Sequence, residues 1–248
     1  MEPFEITVGG QRLRGEVAGP AVARTWIYHH GFGSERLGFK GRAFRDAALA
    51  TGQRFVAADF RGHGSSEGSI AQMFLSHYVA DATAVLARFA TPERPAVVVG
   101  SSLGGLASLW AAAQAPELVA ALVLIAPALG WIPRLARLPR ADGMIVVRNQ
   151  WIDHRIPVAA LDDCALWPEA ELPRRVRAPV LLFHGTDDQQ VPYAESAALA
   201  RQLPADRCQL RTFAGGDHRL LEQLPVMVHE AQAFVAALEG APRKVSGS

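Results

Sequence analysis

The chain has 248 residues, half of them hydrophobic, which is enough to bury the core of one large α/β domain or of two small ones. Its 25 Lys and Arg residues nearly balance its 24 Asp and Glu residues. That balance excludes the strongly basic surface typical of proteins that bind nucleic acid or anionic membranes. The start of the chain shows no secretory pattern, and the longest apolar run, 118–132, is too short to span a bilayer. We therefore expect a cytoplasmic protein with two free cysteines, Cys164 and Cys208.

Short β-rich runs alternate with helical patterns along most of the chain. Strands are predicted as a hairpin over 5–17 and at 25–30, 54–60, 96–100, 121–126, 179–185 and 208–215. Helices are predicted at 41–52, 74–90, about 103–115, 193–203 and 226–240. This alternation predicts an α/β fold with a mostly parallel central sheet and helices on both faces.

One segment interrupts the alternation. Residues 128–176 are too long for a simple connection and contain three of the five tryptophans. We interpret this segment as a helical cap inserted into a single domain, residues 1–240, and the last residues, 241–248, as a flexible tail.

Two adjacent serines follow the strand at 96–100. The pattern Gly-x-Ser-x-Gly fits only the register Gly100 to Gly104, which centres on Ser102 and not on Ser101. A serine between a strand and a helix sits on a sharp, strained turn that lifts its hydroxyl clear of the sheet, and side chains two residues away on either side would collide. Ser102 is therefore the predicted nucleophile. The N–H of Leu103, at the helix N-terminus, is a predicted oxyanion donor.

A serine nucleophile needs a base, and the base needs a group to orient it. Of the eight histidines, His218 follows the last strand and precedes the final helix. Functional groups gather at the carboxyl ends of strands in such sheets, so His218 is the predicted base. The strand 179–185 is followed by Asp187 and Asp188, and by position alone either one could be the acid. In an earlier loop, we expect Asp59 and Arg61 to pair and brace their neighbours.

Five short segments occur in the order found in one family. They are HHGFG (29–33), DFRGHGSS (59–66), GSSLGG (100–105), HGTDDQQVP (184–192) and GGDHRL (215–220). With them the chain resembles the α/β-hydrolase superfamily over nearly its full length, which implies the α/β-hydrolase fold. The chain order Ser, Asp, His is that of the family.

The resemblance also implies residue roles. It favours Asp188 over Asp187 as the acid, and it implies the backbone N–H of Phe32 as the second oxyanion donor. The combination SSLGG and DHR is further similar to serine hydrolases related to mitochondrial acyl-protein thioesterases. Hydrolysis by a serine, a base and an acid needs no cofactor, so we expect none. We also expect no metal, because adjacent imidazoles such as His29 and His30 do not easily converge on one ion.

The predicted activity is cleavage of a carboxylic ester or thioester through an acyl-enzyme, with a small-molecule acyl substrate as the partner and no nucleic acid. A proline-type serine peptidase, a C–C bond hydrolase and a lactonase share the triad. A ligand receptor that retains the triad is the alternative outside enzymes. The fold alone does not decide between them.

Substrate recognition is predicted to lie in the cap. Trp131, Trp151 and Trp167 suggest an apolar lining. Arg134 and Arg137 are spaced to receive an anionic group, although a solvated helix face is the favoured interpretation of those arginines.

Overall fold

The computed structural model describes residues 1–72, 74–148 and 153–240. The chain begins with the hairpin β1 (Glu2–Val8) and β2 (Gln11–Ala18). The elements that follow are β3 (Thr25–His29), α1 (Phe39–Ala50), β4 (Arg54–Ala58), α2 (Leu75–Phe89), β5 (Ala96–Ser101), α3 (Leu103–Gln114) and β6 (Val119–Ile125). Short 3₁₀ turns lie at Ile70–Gln72, Pro116–Leu118 and Glu169–Glu171.

The insertion contains more than helices. Its elements are α4 (Trp131–Arg137), β7 (Arg140–Ala141), β8 (Met144–Arg148), β9 (Asp153–Pro157), α5 (Ala160–Ala165) and α6 (Leu172–Arg175). The three strands form an antiparallel sheet of their own. The prediction of a helical cap is therefore wrong in part, since the cap combines helices with a small sheet. The turn between β7 and β8 has Asp142 and Gly143 at φ 52° and 72°. Asp-Gly is a strong hairpin signal, because both residues tolerate positive φ.

The chain then returns to the main sheet with β10 (Val180–Gly185), α7 (Tyr193–Gln202), β11 (Cys208–Phe213) and α8 (Leu224–Gly240). The order of the eight strands in the sheet is β1-β2-β4-β3-β5-β6-β10-β11. β2 pairs antiparallel with β1 and β4, and the other pairs are parallel. The predicted mostly parallel sheet is confirmed.

The alternation of side chains along β5 shows why this sheet needs helices on both faces. Val97 and Val99 pack in the core beneath α1 and α8, whereas Val98 packs in the core beneath α2 and α3. A strand buried on both faces is a continuous apolar run, as is typical of parallel sheets.

The strand order reverses between β3 and β5, since the chain winds outward from β3 to β4 in one direction and from β5 to β6 in the other. The ends of the two strands are neighbours, with His29 of β3 beside Gly100 of β5. In open α/β sheets a crevice for ligands forms at the carboxyl ends of the strands at this reversal. The predicted nucleophile, Ser102, directly follows β5.

Candidate active site

Ser102 occupies the sharp turn between β5 and α3. Its backbone has φ 52° and ψ −120°, a left-handed region that costs a residue with a side chain about 1–3 kcal/mol. A Cβ at Gly100 would lie 2.6 Å from the Ser108 hydroxyl, and one at Gly104 would lie 2.3 Å from the His30 carbonyl oxygen. The turn therefore requires glycine at both positions that the motif specifies.

The three residues predicted as a triad are brought together by three different loops. His218 Nε2 lies 3.0 Å from Ser102 Oγ. His218 Nδ1 lies 2.7 Å from Asp188 Oδ2. With Nδ1 donating to the carboxylate, Nε2 is free to accept the hydroxyl proton, which is the arrangement that an activated serine needs.

The Asp188 carboxylate is held as an anion. Its Oδ1 accepts the backbone N–H groups of Gln190 and Val191, each at 2.8 Å. Burial raises the pKa of Asp188, but the hydrogen bonds from His184 and His218 outweigh burial and hold that pKa well below its usual value. The neighbouring Asp187 is exposed, and its backbone N–H donates to the Gly216 carbonyl.

His184 is a supporting residue that the sequence did not single out. Its Nε2 lies 2.9 Å from the Val191 carbonyl oxygen and 3.1 Å from Asp188 Oδ2. Two acceptors at Nε2 place the ring proton there, so Nδ1 accepts the hydroxyl of Ser196 at 2.7 Å. His184 thus donates to the same Asp188 oxygen, Oδ2, that accepts the Nδ1–H of His218. The sequence did carry a signal for this role, since His184 lies near the end of a buried strand, just before the loop that contains Asp187 and Asp188.

The turn after β3 lies directly against Ser102, since a Cβ at Gly31 would be 3.2 Å from the Ser102 Cβ. His30 fixes this turn. Its Nε2 accepts the N–H of Phe60 at 3.0 Å, so its Nδ1 carries the proton and donates to the Gly31 carbonyl at 2.8 Å. Burial, aided by His63, lowers the pKa of His30 to about 3, so the ring is neutral near pH 7.

This bond orients the N–H of Phe32. In a trans peptide the N–H points away from the carbonyl of the same peptide, so the Phe32 N–H points away from the carbonyl that His30 holds. Leu103 begins α3, and its N–H belongs to the unpaired first turn of that helix. In the described parts of the chain, neither N–H has a hydrogen-bond acceptor. Both predicted donors are therefore available to an oxyanion.

A cavity of about 570 Å³ opens above Ser102 and is lined by residues from both the main sheet and the cap. The cap contributes Ala128, Trp131 and Val147. Trp131 was predicted to line the pocket, and its ring lies 6.3 Å from that of Phe32. Lys40 and Arg219, two cationic residues to which the sequence gave no predicted role, also line the cavity.

The other cap predictions have different outcomes. Arg134 is half-buried and Arg137 is exposed, and neither lines the cavity around Ser102. Trp167 packs its ring 5.2 Å from that of Trp110 beneath the cap and does not line this cavity. Trp151 lies outside the described residues, as does the tail 241–248.

The predicted pairing of Asp59 with Arg61 is wrong. Arg61 Nε lies 2.9 Å from Asp81 Oδ1 on α2, and Asp59 Oδ1 accepts the backbone N–H of Arg36 at 2.8 Å. Both carboxylates are buried and each has its own cation, since Arg36 forms an ion pair with Asp59 and Arg61 forms one with Asp81. Both carboxylates still brace the loops around the cavity.

Across the described ranges, His, Cys, Asp and Glu form no cluster of three that could hold a metal ion. His29 is a buried structural histidine. Its Nδ1 bonds the Ser108 hydroxyl at 2.9 Å, and burial lowers its pKa to about 3. In the same ranges, no helix combines the length and apolar character that crossing a membrane requires.

Comparison with known proteins supports this geometry. A family model described as alpha/beta hydrolase fold matches residues 27–152, and one described as serine aminopeptidase, S33, matches residues 165–224. The mitochondrial palmitoyl-protein thioesterase ABHD10 of Mus musculus is 30% identical over 227 residues, which cover 87% of this chain and 74% of that protein.

Two solved structures are similar over nearly the whole chain. Alpha/beta hydrolase domain-containing protein 10 from mouse has a TM-score of 0.84 and 25% identity, covering 96% of this chain and 100% of that one. Est1E from Butyrivibrio proteoclasticus with bound ferulic acid has a TM-score of 0.83 and 23% identity, with the same coverage, and shows the likeness of fold. The matched family model, the similar thioesterase and the strand order together establish that the chain belongs to the α/β-hydrolase family.

Proposed function

We propose that this protein is a serine hydrolase that cleaves carboxylic esters or thioesters, with Ser102 as nucleophile, His218 as base and Asp188 as the acid that orients His218. The observation that carries the proposal is the continuous hydrogen-bonded chain from Ser102 through His218 to Asp188, which opens onto a cavity. The similarity to a palmitoyl-protein thioesterase supports the substrate class.

Acylation follows from the distances. As Ser102 Oγ attacks the carbonyl carbon, its proton passes to His218 Nε2, and the carbonyl oxygen becomes an oxyanion that the N–H groups of Phe32 and Leu103 stabilise. The tetrahedral intermediate then expels the leaving oxygen or sulfur, which takes the proton from His218. In deacylation, water gives its proton to His218 and attacks the acyl-enzyme, and Ser102 recovers its proton as the acid product leaves.

Asp188 assists both steps through His218. Its Oδ2 keeps the proton on Nδ1, so Nε2 always faces Ser102 as the acceptor. Its negative charge stabilises the imidazolium that forms while His218 Nε2 holds the proton of Ser102 or of water. Because the pKa of Asp188 is held low, this carboxylate stays ionised throughout the neutral range.

A serine aminopeptidase is the second candidate, because the family model described in those words matches residues 165–224. An aminopeptidase must bind the ammonium of its substrate's N-terminus. The cavity is lined by Lys40 and Arg219, which repel an ammonium, and its acidic lining residue, Glu35, is exposed. The charges therefore favour ester or thioester substrates.

Steady-state turnover separates the candidates. We expect sustained hydrolysis of p-nitrophenyl butyrate and of butyryl thioesters by many equivalents of substrate per enzyme, and slow hydrolysis of alanine and proline p-nitroanilides. Faster cleavage of the anilides would favour the peptidase. A single burst of one equivalent without turnover would favour a ligand receptor that retains the triad.

The location of the protein stays a prediction. The word mitochondrial in the name of the similar thioesterase describes that protein, and the cytoplasmic prediction from the sequence is best tested by imaging or fractionating the tagged protein in its own host.

A further inference from the structure

The cavity above Ser102 has two chemically different sides. Phe32, Trp131 and Val147 form an apolar side where the cap covers the sheet. Lys40, in the first turn of α1, and Arg219, in the loop that carries His218, supply positive charge on the lining from the main domain. The apolar side suits an acyl chain, whereas the two cations have no role in the chemistry described above.

Lys40 is the less expected of the two cations. It is half-buried, and its ammonium makes no hydrogen bond or ion pair with any residue in the described ranges. The carboxylates that act on it most, Asp217 and Asp188, are engaged elsewhere: Asp217 caps the N–H groups of Arg219 and Leu220, and Asp188 binds His218. A partly desolvated charge without a partner is unfavourable.

Arg219 adds to this cost. It is half-buried beside the cavity, and its guanidinium lies 6.0 Å from the centre of the Phe39 ring, which itself lines the cavity. Burial and the charge of Arg219 lower the pKa of Lys40 to about 8. Two like charges on one partly buried wall become favourable when an anion lies between them.

The position of Lys40 and Arg219 indicates which part of the substrate they contact. His218 delivers a proton to the leaving oxygen or sulfur, so the leaving group departs on the His218 side of the cavity. Arg219 directly follows His218 in the chain. We infer that the leaving group of the substrate carries a carboxylate or a phosphate, and that Lys40 and Arg219 bind this anion. This inference rests on the proposed ester or thioester hydrolase function and specifies its substrate.

The test uses esters that differ in charge and hardly in reactivity. The butyrate ester of p-hydroxyphenylpropanoic acid carries the carboxylate, and the butyrate ester of its methyl ester is the neutral control. The phenolic butyrate of tyrosol phosphate carries the phosphate. We expect the wild-type protein to prefer one or both anionic esters by about tenfold in kcat/KM, since bonds to a charged group typically have this effect.

The key variant is Lys40→Met, which keeps an unbranched side chain of nearly the same length and removes its charge. It should lower kcat/KM for the preferred anionic ester by about tenfold and leave the neutral ester within about twofold. Arg45→Met is the matched control, because Arg45 lies on the same helix, is ion-paired with Asp46 and does not line the cavity. It should leave both rates unchanged. Arg219→Met is a second variant with the same expected result as Lys40→Met.

A measurement on the wild-type protein does not depend on any variant folding. The ratio of kcat/KM for the anionic ester to that for the neutral ester cancels any pH dependence of the chemical step, which both esters share. That ratio should fall as pH rises through about 8, where Lys40 loses its proton.

Equal rates for anionic and neutral esters, with a ratio that does not change with pH, would overturn the inference and leave the proposed hydrolase intact. Failure to hydrolyse any of the esters, neutral ones included, would instead overturn the proposed function. A preference for the phosphate alone, or for the carboxylate alone, would identify which anion the site accepts.

Discussion

The sheet edge, by which we mean the side of the main sheet where the parallel strands end at their carboxyl ends, and the cap that covers it are held in place by different interactions. At the sheet edge, backbone geometry fixes two of the three proposed catalytic groups, through positive φ at Ser102 and through two backbone N–H groups that bind Asp188. The cap is held by side chains, with Trp167 Nε1 donating to the Ser76 hydroxyl and the Ser76 N–H donating to Asp163. This difference predicts that substitutions at the edge abolish the reaction, whereas substitutions in the cap change which substrate is preferred.

The largest expected effect is at the nucleophile. Ser102→Ala removes the only hydroxyl within hydrogen-bond distance of His218 Nε2 in the described ranges. We expect kcat for ester hydrolysis to fall by about 10⁴–10⁶-fold, measured with p-nitrophenyl butyrate under saturating substrate.

Ser101→Ala is the matched control on the adjacent residue. Ser101 ends β5, is buried and makes no bond to His218 within the described residues. The variant should retain activity within about tenfold, since it removes no group that acts in the transition state. A larger loss from Ser101→Ala than from Ser102→Ala would assign the nucleophile to the other serine.

The next effect concerns the acid. Asp188→Asn keeps the size of the side chain but removes the charge that holds the proton on His218 Nδ1, so kcat should fall by about 10³–10⁴-fold. Asp187→Asn changes an exposed neighbour and should cost about twofold or less. Measuring kcat for the two variants side by side tests this difference. A larger loss of kcat in Asp187→Asn than in Asp188→Asn would show that Asp187 is the acid.

The smallest effect on the reaction is expected in the cap. Trp131 lines the cavity and packs beside Phe32. Trp131→Ala enlarges the apolar side, so the acyl length with the highest kcat/KM should increase by a few carbons, each buried methylene contributing about 0.8 kcal/mol at most. A series of p-nitrophenyl esters of graded length measures the optimum. An unchanged optimum would show that this tryptophan does not bound the acyl site.

Trp167→Ala provides the contrast within the cap. This side chain docks the cap on α2 and α3 and lies outside the cavity. Its loss should lower the free energy of unfolding by about 1–3 kcal/mol, seen as a lower Tm, because packing and a hydrogen bond disappear together. The preferred acyl length should stay as in the wild type. A shifted optimum with unchanged Tm would contradict the structural role given to Trp167.

The sequence predicts the sheet edge far better than the cap. Only glycine fits at Gly100 and Gly104, so the nucleophile turn can be recognised in the sequence by its Gly-x-Ser-x-Gly motif. The acid shows a limit of such reasoning, since Asp187 and Asp188 are equal by position and it was the family pattern that favoured Asp188. The structure distinguishes them through hydrogen bonds that join residues 30 positions apart.

In the cap, apolar packing accepts many residue types, so the sequence carries fewer constraints. The β7–β8 hairpin had a local signal in Asp142-Gly143, which the prediction of a helical cap did not use. The cations show a different limit. The spacing of Arg134 along the chain made it a candidate to bind an anionic group. Lys40 and Arg219 show no such spacing, because they come together at the cavity from segments nearly 180 residues apart.

The central claim is that Ser102 is the nucleophile. Its most direct test is to label the protein with a fluorophosphonate and to locate the adduct by fragmenting the peptide that contains both serines. We predict one adduct per chain, on Ser102, which disappears in Ser102→Ala and persists in Ser101→Ala. An adduct on Ser101, or labelling that survives Ser102→Ala, would contradict the account.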